Sequence, residues 1–255
     1  MHRIDLNCDM GEGFGVYTAG RDRELMKYIT SANIACGFHA GDAATIRKTV
    51  KLALEHGVAI GAHPGLPDLA GFGRRTMQIT PQEAYELTVY QLGAVQAFAR
   101  SEGGELRHVK PHGALYNMAA ASRPLADAIA EAVYKVDARL LLFGLSGSEL
   151  IWAGEAAGLR TVSEVFADRS YEADGALTPR GTPGAVIADA GLAAEQAVGM
   201  IKRGAVRTRQ GSELALKAET VCLHGDTPGA AEHAARLREA LDKEGILVRR
   251  AGDPG

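Results

Sequence analysis

The sequence predicts an α/β fold: a distorted seven-stranded, or eight-stranded, TIM-like β/α barrel formed as one domain over residues 1–255. Short apolar runs alternate with helical stretches about eight times along the chain, which is the pattern of repeated βα units. The same end of one run after another carries ionisable residues, and in a parallel barrel every strand C-terminus opens onto one face. The length, with 46% hydrophobic residues, suits a single barrel core. A doubly wound open sheet uses the same alternation and is the competing fold. Ionisable groups at so many strand ends suit a closed ring better.

The first strand is Ile4 to Cys8, followed by Asp9 and Glu12. Ala32 to Cys36 is the second, followed by His39 and by Asp42, which can cap a helix running to His56-Gly57. Val58 to Ala62 leads to His63. Gly65 to Met77 is too long for an ordinary βα loop and reads as a binding loop or lid. Thr80-Pro81-Gln82-Glu83 carries a capping box with proline in the first turn, opening a long helix to about Arg100. Leu106 to Val109 then leads to Lys110 and His112. Later strands fall near Arg139 to Phe143, Arg160 to Phe166, Val221 to His224 and Ile246 to Val248. Glu164 and Asp168 close the sixth run, and a second long loop covers Ala167 to Ala185. His224 and Asp226 close the run near Val221, and Thr227-Pro228 starts a helix through Leu241 to Gly245.

Composition excludes several partners. A formal net charge of −3 without a long Lys/Arg run leaves no electrostatic footprint for nucleic acid or an anionic membrane. No apolar run approaches the roughly 20 residues of a membrane span, and the N-terminus lacks a signal-peptide pattern, so a cytoplasmic location is expected. Cys8, Cys36 and Cys222 are odd in number and lack CxxC spacing, which argues for small buried hydrophobes in a reducing compartment. Cys36, beside His39, is the better nucleophile candidate of the three. Neither GxxxxGK[ST] nor a strand-linked GxGxxG occurs, so the chain shows no nucleotide cradle of its own.

His39, His63, His112 and His224 sit at predicted strand ends, whereas His2, His56, His108 and His233 do not and need no function. Two chemistries fit such a group. Neutral imidazoles with a carboxylate such as Asp9 can hold a divalent ion that activates water, although HExxH or comparably compact spacing is absent. Alternatively, paired groups such as His224 with Asp226 can perform metal-free general acid–base catalysis, a carboxylate taking a proton from water and a histidine or lysine giving one to a leaving nitrogen. Arg74, Arg75, Lys110, Arg169 and Arg180 suit an anionic substrate, with solvated charged loops as the plain alternative. Whether a metal is bound stays open at this level.

Leu6-Asn7-Cys8-Asp9-Met10-Gly11-Glu12, Asn33 through Asp42, Ala62-His63-Pro64-Gly65 and Val109 through Tyr116 together resemble the LamB/YcsF family. Glu164 through Arg169, Asp174-Gly175-Ala176-Leu177, Pro179-Arg180 and Cys222 through Asp226 extend the resemblance over nearly the whole chain. It implies ATP-dependent opening of the 5-oxoproline lactam to L-glutamate, with this chain as the A component of a 5-oxoprolinase beside partner subunits B and C, which would handle ATP as co-substrate. In that scheme Asp9 and Glu12 orient or deprotonate water, and His39, His63 and His112 shape the reacting centre. Lys110 meets developing negative charge, and His224 with Asp226 forms an acid–base pair. Asp168 and Arg169 position the substrate's amine and carboxylate, with Asn7, Asn33, Asp42, Arg74, Tyr116, Glu164 and Arg180 completing the binding set. The alternatives are a stand-alone metal-dependent amidohydrolase or deacetylase, and a non-catalytic scaffold or carrier protein.

Overall fold

The computed structural model describes residues 2–17, 21–223 and 229–253. Seven parallel strands close into a barrel: β1 (Arg3–Met10), β2 (Ser31–Ala35), β3 (Ala59–His63), β4 (Leu106–Val109), β5 (Leu141–Leu145), β6 (Arg160–Phe166) and β9 (Thr220–Leu223), with β9 returning to pair with β1. An antiparallel hairpin, β7 (Ala205–Arg207) and β8 (Glu213–Ala215), precedes β9. The final strand, β10 (Leu247–Val248), is the source of the distortion. Arg3 and Ile4 of β1 pair with β10, whereas Asp5 to Cys8 pair with β9. One strand therefore serves two neighbours in succession, and the eighth position exists only at the bottom rim.

The helices are α1 (Asp22–Leu25), α2 (Ala43–His56), α3 (Pro81–Ser101), α4 (Gly113–Ala121), α5 (Arg123–Asp137), α6 (Glu149–Ala156), α7 (Ala190–Arg203) and α8 (Ala230–Lys243). Apolar faces of these helices cover the strands, and Leu92, Val95, Leu115, Ile129, Val133, Leu237 and Leu241 are fully buried there. The expected capping box is present at α3: Thr80 Oγ1 accepts from the Glu83 amide while the Glu83 carboxylate accepts from the Thr80 amide. Asp42 caps α2 by accepting from the Thr45 amide at 2.8 Å, and Gly57 closes it in the left-handed conformation.

One expected strand shifts, one hairpin is added, and one expected helix start falls outside the described residues. The strand expected at Arg139 to Phe143 runs two residues later, from Leu141 to Leu145, because Asp137 and Arg139 form a local ion pair at the end of α5. The β7–β8 hairpin is an addition, since strands of three residues are too short to show a clear alternation. The helix start expected at Thr227-Pro228 lies outside the described residues, and α8 is described from Ala230. No helix among the described residues is long and apolar enough to cross a membrane.

The barrel interior is polar where most such barrels are filled by branched apolar residues. Asp5, Asn7 and Asp9 alternate along β1, and Ser31 and Asn33 along β2, so period-2 geometry points each set to one side. At the bottom, Asp5 accepts from the Ser31, Thr30 and Thr220 hydroxyls, and burial raises its carboxyl above the usual range despite those bonds. Asp42 also accepts from the Gly15 amide at 2.6 Å, tying the loop after β1 to α2. Asp42→Ala should lower stability by about 1–2 kcal/mol through loss of the cap, read as a shift in the urea unfolding midpoint at unchanged slope. A midpoint equal to wild type would show that the cap contributes nothing.

Candidate active site

The strand C-termini open into a cavity of about 550 Å³ lined by Asp9, His63, Arg74, Lys110, His112, Tyr116, Arg169 and Arg180 among others. Lys110 crosses the bore from the end of β4 to the opposite wall. Its Nζ lies 3.0 Å from Asp9 Oδ1, 2.9 Å from Glu164 Oε1, 3.1 Å from Asn7 Oδ1 and 3.1 Å from Cys222 Sγ. Burial alone would depress this ammonium, but the Asp9 and Glu164 carboxylates outweigh it and hold Lys110 well above the ordinary lysine range. Lys110 is a fixed cation, not a base.

Amides and an imidazole set the orientation of these carboxylates from below. Asn33 Nδ2 donates to Asp9 Oδ1 at 2.9 Å and to Asn7 Oδ1 at 2.7 Å, and Asn7 Nδ2 donates to Glu164 Oε1 at 2.9 Å. Tyr116 donates its hydroxyl to Glu164 Oε2 at 2.7 Å, and burial with that carboxylate pushes the phenol well up. His108 Nε2 donates to Asn33 Oδ1 at 2.8 Å. The imidazole reaches Asn33 because Gly61, its register partner on β3, has no side chain: a Cβ there would stand 2.0 Å from His108 Nε2.

Three histidines form the next wall. His63 Nδ1 donates to the Lys110 carbonyl at 2.7 Å, and His112 Nε2 donates to the Phe72 carbonyl at 2.8 Å. Since a carbonyl can only accept, these bonds fix both tautomers and turn His63 Nε2 and His112 Nδ1 toward each other, 3.0 Å apart. Asp9 Oδ2 lies 3.3 Å from His63 Nε2, and Glu12 Oε1 lies 3.8 Å from His112 Nδ1. His39 stacks on His112 with ring centroids 3.7 Å apart. Burial, reinforced by neighbouring imidazoles, lowers His39 well below its ordinary value and His112 to about 3.

The loop from Gly65 to Met77 braces this wall. Asp68 holds Arg75 and the Gly71 amide, and Phe72 adopts φ 56°, a left-handed conformation costing about 1–2 kcal/mol for a residue with a Cβ. That turn aims the Phe72 carbonyl at His112. Gly73, at φ 63°, continues it where a Cβ would fall 2.6 Å from His39 Cβ and 2.9 Å from His112 Cδ2. Arg74 lies over the Phe72 ring at 4.9 Å.

Asp9, His63, Arg74, Lys110, His112, Tyr116, Arg169 and Arg180 thus meet on one cavity wall, Asn7, Asn33 and Glu164 lie beneath it, and Glu12 and His39 stand behind the imidazoles. Arg169 donates to the Thr178 and Ala185 carbonyls and so also staples the second long loop; burial, with Arg180 nearby, lowers it to about 10. Three residues are elsewhere. Arg75 is paired with Asp68 in the long loop, Asp42 is occupied as a helix cap, and Asp168 lines a separate small cavity with Ala193 and His233. His224 and Asp226 lie outside the described residues. His108, which its place inside a strand leaves without an expected role, is part of the support, and its spacing of two from Lys110, just past the end of that strand, is the signal that could have found it. Cys222 contacts Lys110 as a thiol that burial pushes well up; burial likewise raises Cys36, against a nucleophilic role. Among the described residues, the group of His, Cys, Asp or Glu donors able to surround an ion is Glu12, His39, His63 and His112, whose ligand atoms lie within 4.8 Å of one another.

A closed parallel barrel with carboxylate, imidazole and ammonium groups converging at the C-terminal mouth defines the class of β/α-barrel proteins whose strand ends carry a cluster of ionisable side chains. The LamB/YcsF family model matches residues 4–254, and the chain belongs to that family. It is 60% identical to the A subunit of 5-oxoprolinase from Shouchella clausii (strain KSM-K16), over 98% of each chain. The corresponding 5-oxoprolinase A subunit of Bacillus subtilis (strain 168) is 58% identical over 97% of this chain and 96% of its own. Among solved structures, the lactam utilization protein of Thermus thermophilus superposes with a TM-score of 0.91 at 47% identity, covering 97% of this chain and 99% of the other.

Burial also sets a pH dependence in the scaffold. His108 has a folded value of about 3, below the roughly 6.5 of an unfolded histidine. Between those limits the unfolded chain takes up a proton that the folded chain refuses, so this stability is complete above about pH 6.5 and is lost as pH falls toward about 3. The urea midpoint should decline across that window, and His108→Gln should flatten the decline relative to wild type. Identical slopes would remove His108 as a source.

Proposed function

We propose that this chain is the A subunit of an ATP-dependent 5-oxoprolinase that opens the lactam of 5-oxoproline to L-glutamate with partner subunits B and C. Full-length likeness to 5-oxoprolinase A subunits supports the reading, and the observation that carries it chemically is the convergence of Asp9, His63, His112 and Lys110 on one cavity. A five-membered lactam is an unstrained amide whose hydrolysis has a high barrier. Subunits B and C use ATP to phosphorylate the amide oxygen, leaving ADP and a better electrophile for the barrel. Water adds to the ring carbon and the ring C–N bond breaks, the nitrogen taking a proton; a second water then releases phosphate and leaves the new carboxylate.

In this scheme Asp9, held by Asn33 and Lys110 through Oδ1, turns Oδ2 to the cavity to orient or deprotonate water, with Glu12 assisting. His63 and His112 shape the reacting centre beside Asp9 Oδ2, with His39 stacked on His112. The Lys110 ammonium meets the negative charge that develops on oxygen. Arg74, Arg169 and Arg180 supply positive charge for the substrate carboxylate and the phosphoryl group. Asn7, Asn33, Tyr116 and Glu164 keep the charged groups in register from beneath.

The deciding measurement is glutamate formation from 5-oxoproline and ATP by the chain with and without its partners. Turnover only in the combined sample is the expected result; turnover by the isolated chain without ATP would instead identify a stand-alone amidohydrolase. Asp9→Ala or His112→Ala should abolish glutamate production by the reconstituted complex while the variant remains folded. Lys110→Met should slow it by more than about tenfold, and should also destabilise the chain by about 3–5 kcal/mol because two carboxylates lose their shared cation. Wild-type turnover in the Asp9 and His112 variants would favour a scaffold role.

A further inference from the structure

We propose that Glu12, His39, His63 and His112 form a binding site for a first-row divalent cation of the Zn2+ type, in the wall of the cavity. Carbonyl acceptors at Lys110 and Phe72 take the N–H of His63 and His112, so the two nitrogens facing each other at 3.0 Å both present lone pairs. Asp9 Oδ2 and Glu12 Oε1 add carboxylate oxygens at 3.3 and 3.8 Å from those nitrogens. Facing lone pairs with carboxylate oxygens beside them favour a cation placed among those atoms. A single shared proton would relieve only the His63–His112 contact. It would leave His39, which is fully buried with neither ring nitrogen hydrogen-bonded. A nitrogen buried without a partner is costly, and the His39, His63, His112 and Glu12 donor atoms lie within 4.8 Å of one another.

Lys110 is not among the donor atoms of this cluster, since its ammonium is turned to Asp9 Oδ1 and shared with Glu164. Three imidazoles and one carboxylate are the ligand types of Zn2+ and Co2+, not of Mg2+ or Ca2+, which take oxygen. The Lys110 and Phe72 carbonyls act as positioning groups that fix which nitrogen faces the ion, the usual outer partners of metal-bound histidine. His63 and His112 also line the cavity, so an ion held by them adjoins the substrate space.

Binding tests this separately from turnover, so its outcome is independent of the lactam reading. The full chain, stripped with a chelator, is titrated with Co2+ by visible absorption and then with Zn2+ and Mg2+ in competition. One Co2+ should bind per chain with d–d bands of nitrogen coordination, displaced by Zn2+ and not by Mg2+. His39→Ala and Glu12→Gln should each weaken Co2+ affinity by at least about tenfold, with circular dichroism confirming the fold. Glu12→Gln preserves side-chain size and decides the matter should His39→Ala fail to fold. Absence of saturable Co2+ and Zn2+ binding, displacement by Mg2+ as readily as by Zn2+, or wild-type affinity in Glu12→Gln would each overturn the site.

Discussion

The Lys110 ammonium ties four strands together. It starts at the end of β4 and ends among Asn7 and Asp9 of β1, Glu164 of β6 and Cys222 of β9, offering three N–H donors to four acceptors. Two carboxylates in a largely dry bore would repel each other and protonate without that charge between them. The direction of Asp9 follows from this arrangement, because one oxygen is taken by Lys110 and Asn33 and the other faces His63. The arrangement of the charged groups at the mouth therefore rests on this one ammonium, while the β9–β1 ladder closes the barrel.

The histidine wall shows how backbone geometry decides side-chain chemistry. His63 and His112 are ordinary imidazoles until their carbonyl partners choose the tautomer. For His112 that partner exists only because Phe72 takes a conformation unfavourable for a residue with a Cβ, held there by the Asp68–Arg75 clasp and followed by Gly73. Local strain in the long loop is thus exchanged for a defined nitrogen orientation in the site.

Much of the barrel is legible in the chain because period-2 alternation, capping residues and turn glycines act locally. The Thr80 capping box and the Asp42 cap are examples, and strand-end placement groups Asp9, His63, Lys110 and His112 as the folded molecule does. What escapes depends on cross-barrel neighbours. His108 looks like a strand-interior residue, and only the register opposite Gly61 reveals that it reaches Asn33. Asp42 and Asp168 follow the same strand-end rule, but a helix terminus captures the first and a separate cavity holds the second. The β10 strand is legible as a strand but not as a partial one, since its two residues gain meaning only from how β1 divides its edge.

A ring of seven strands encloses a narrower bore than one of eight. Side chains from facing walls here meet atom to atom, as Lys110 does with Asn7 and with Cys222. Such an interior has little slack. Enlarging one inward residue displaces partners on two or three other strands at once, so the polar column behaves as a single part that can be exchanged only by coordinated replacement, while the outer helices are free to drift one residue at a time.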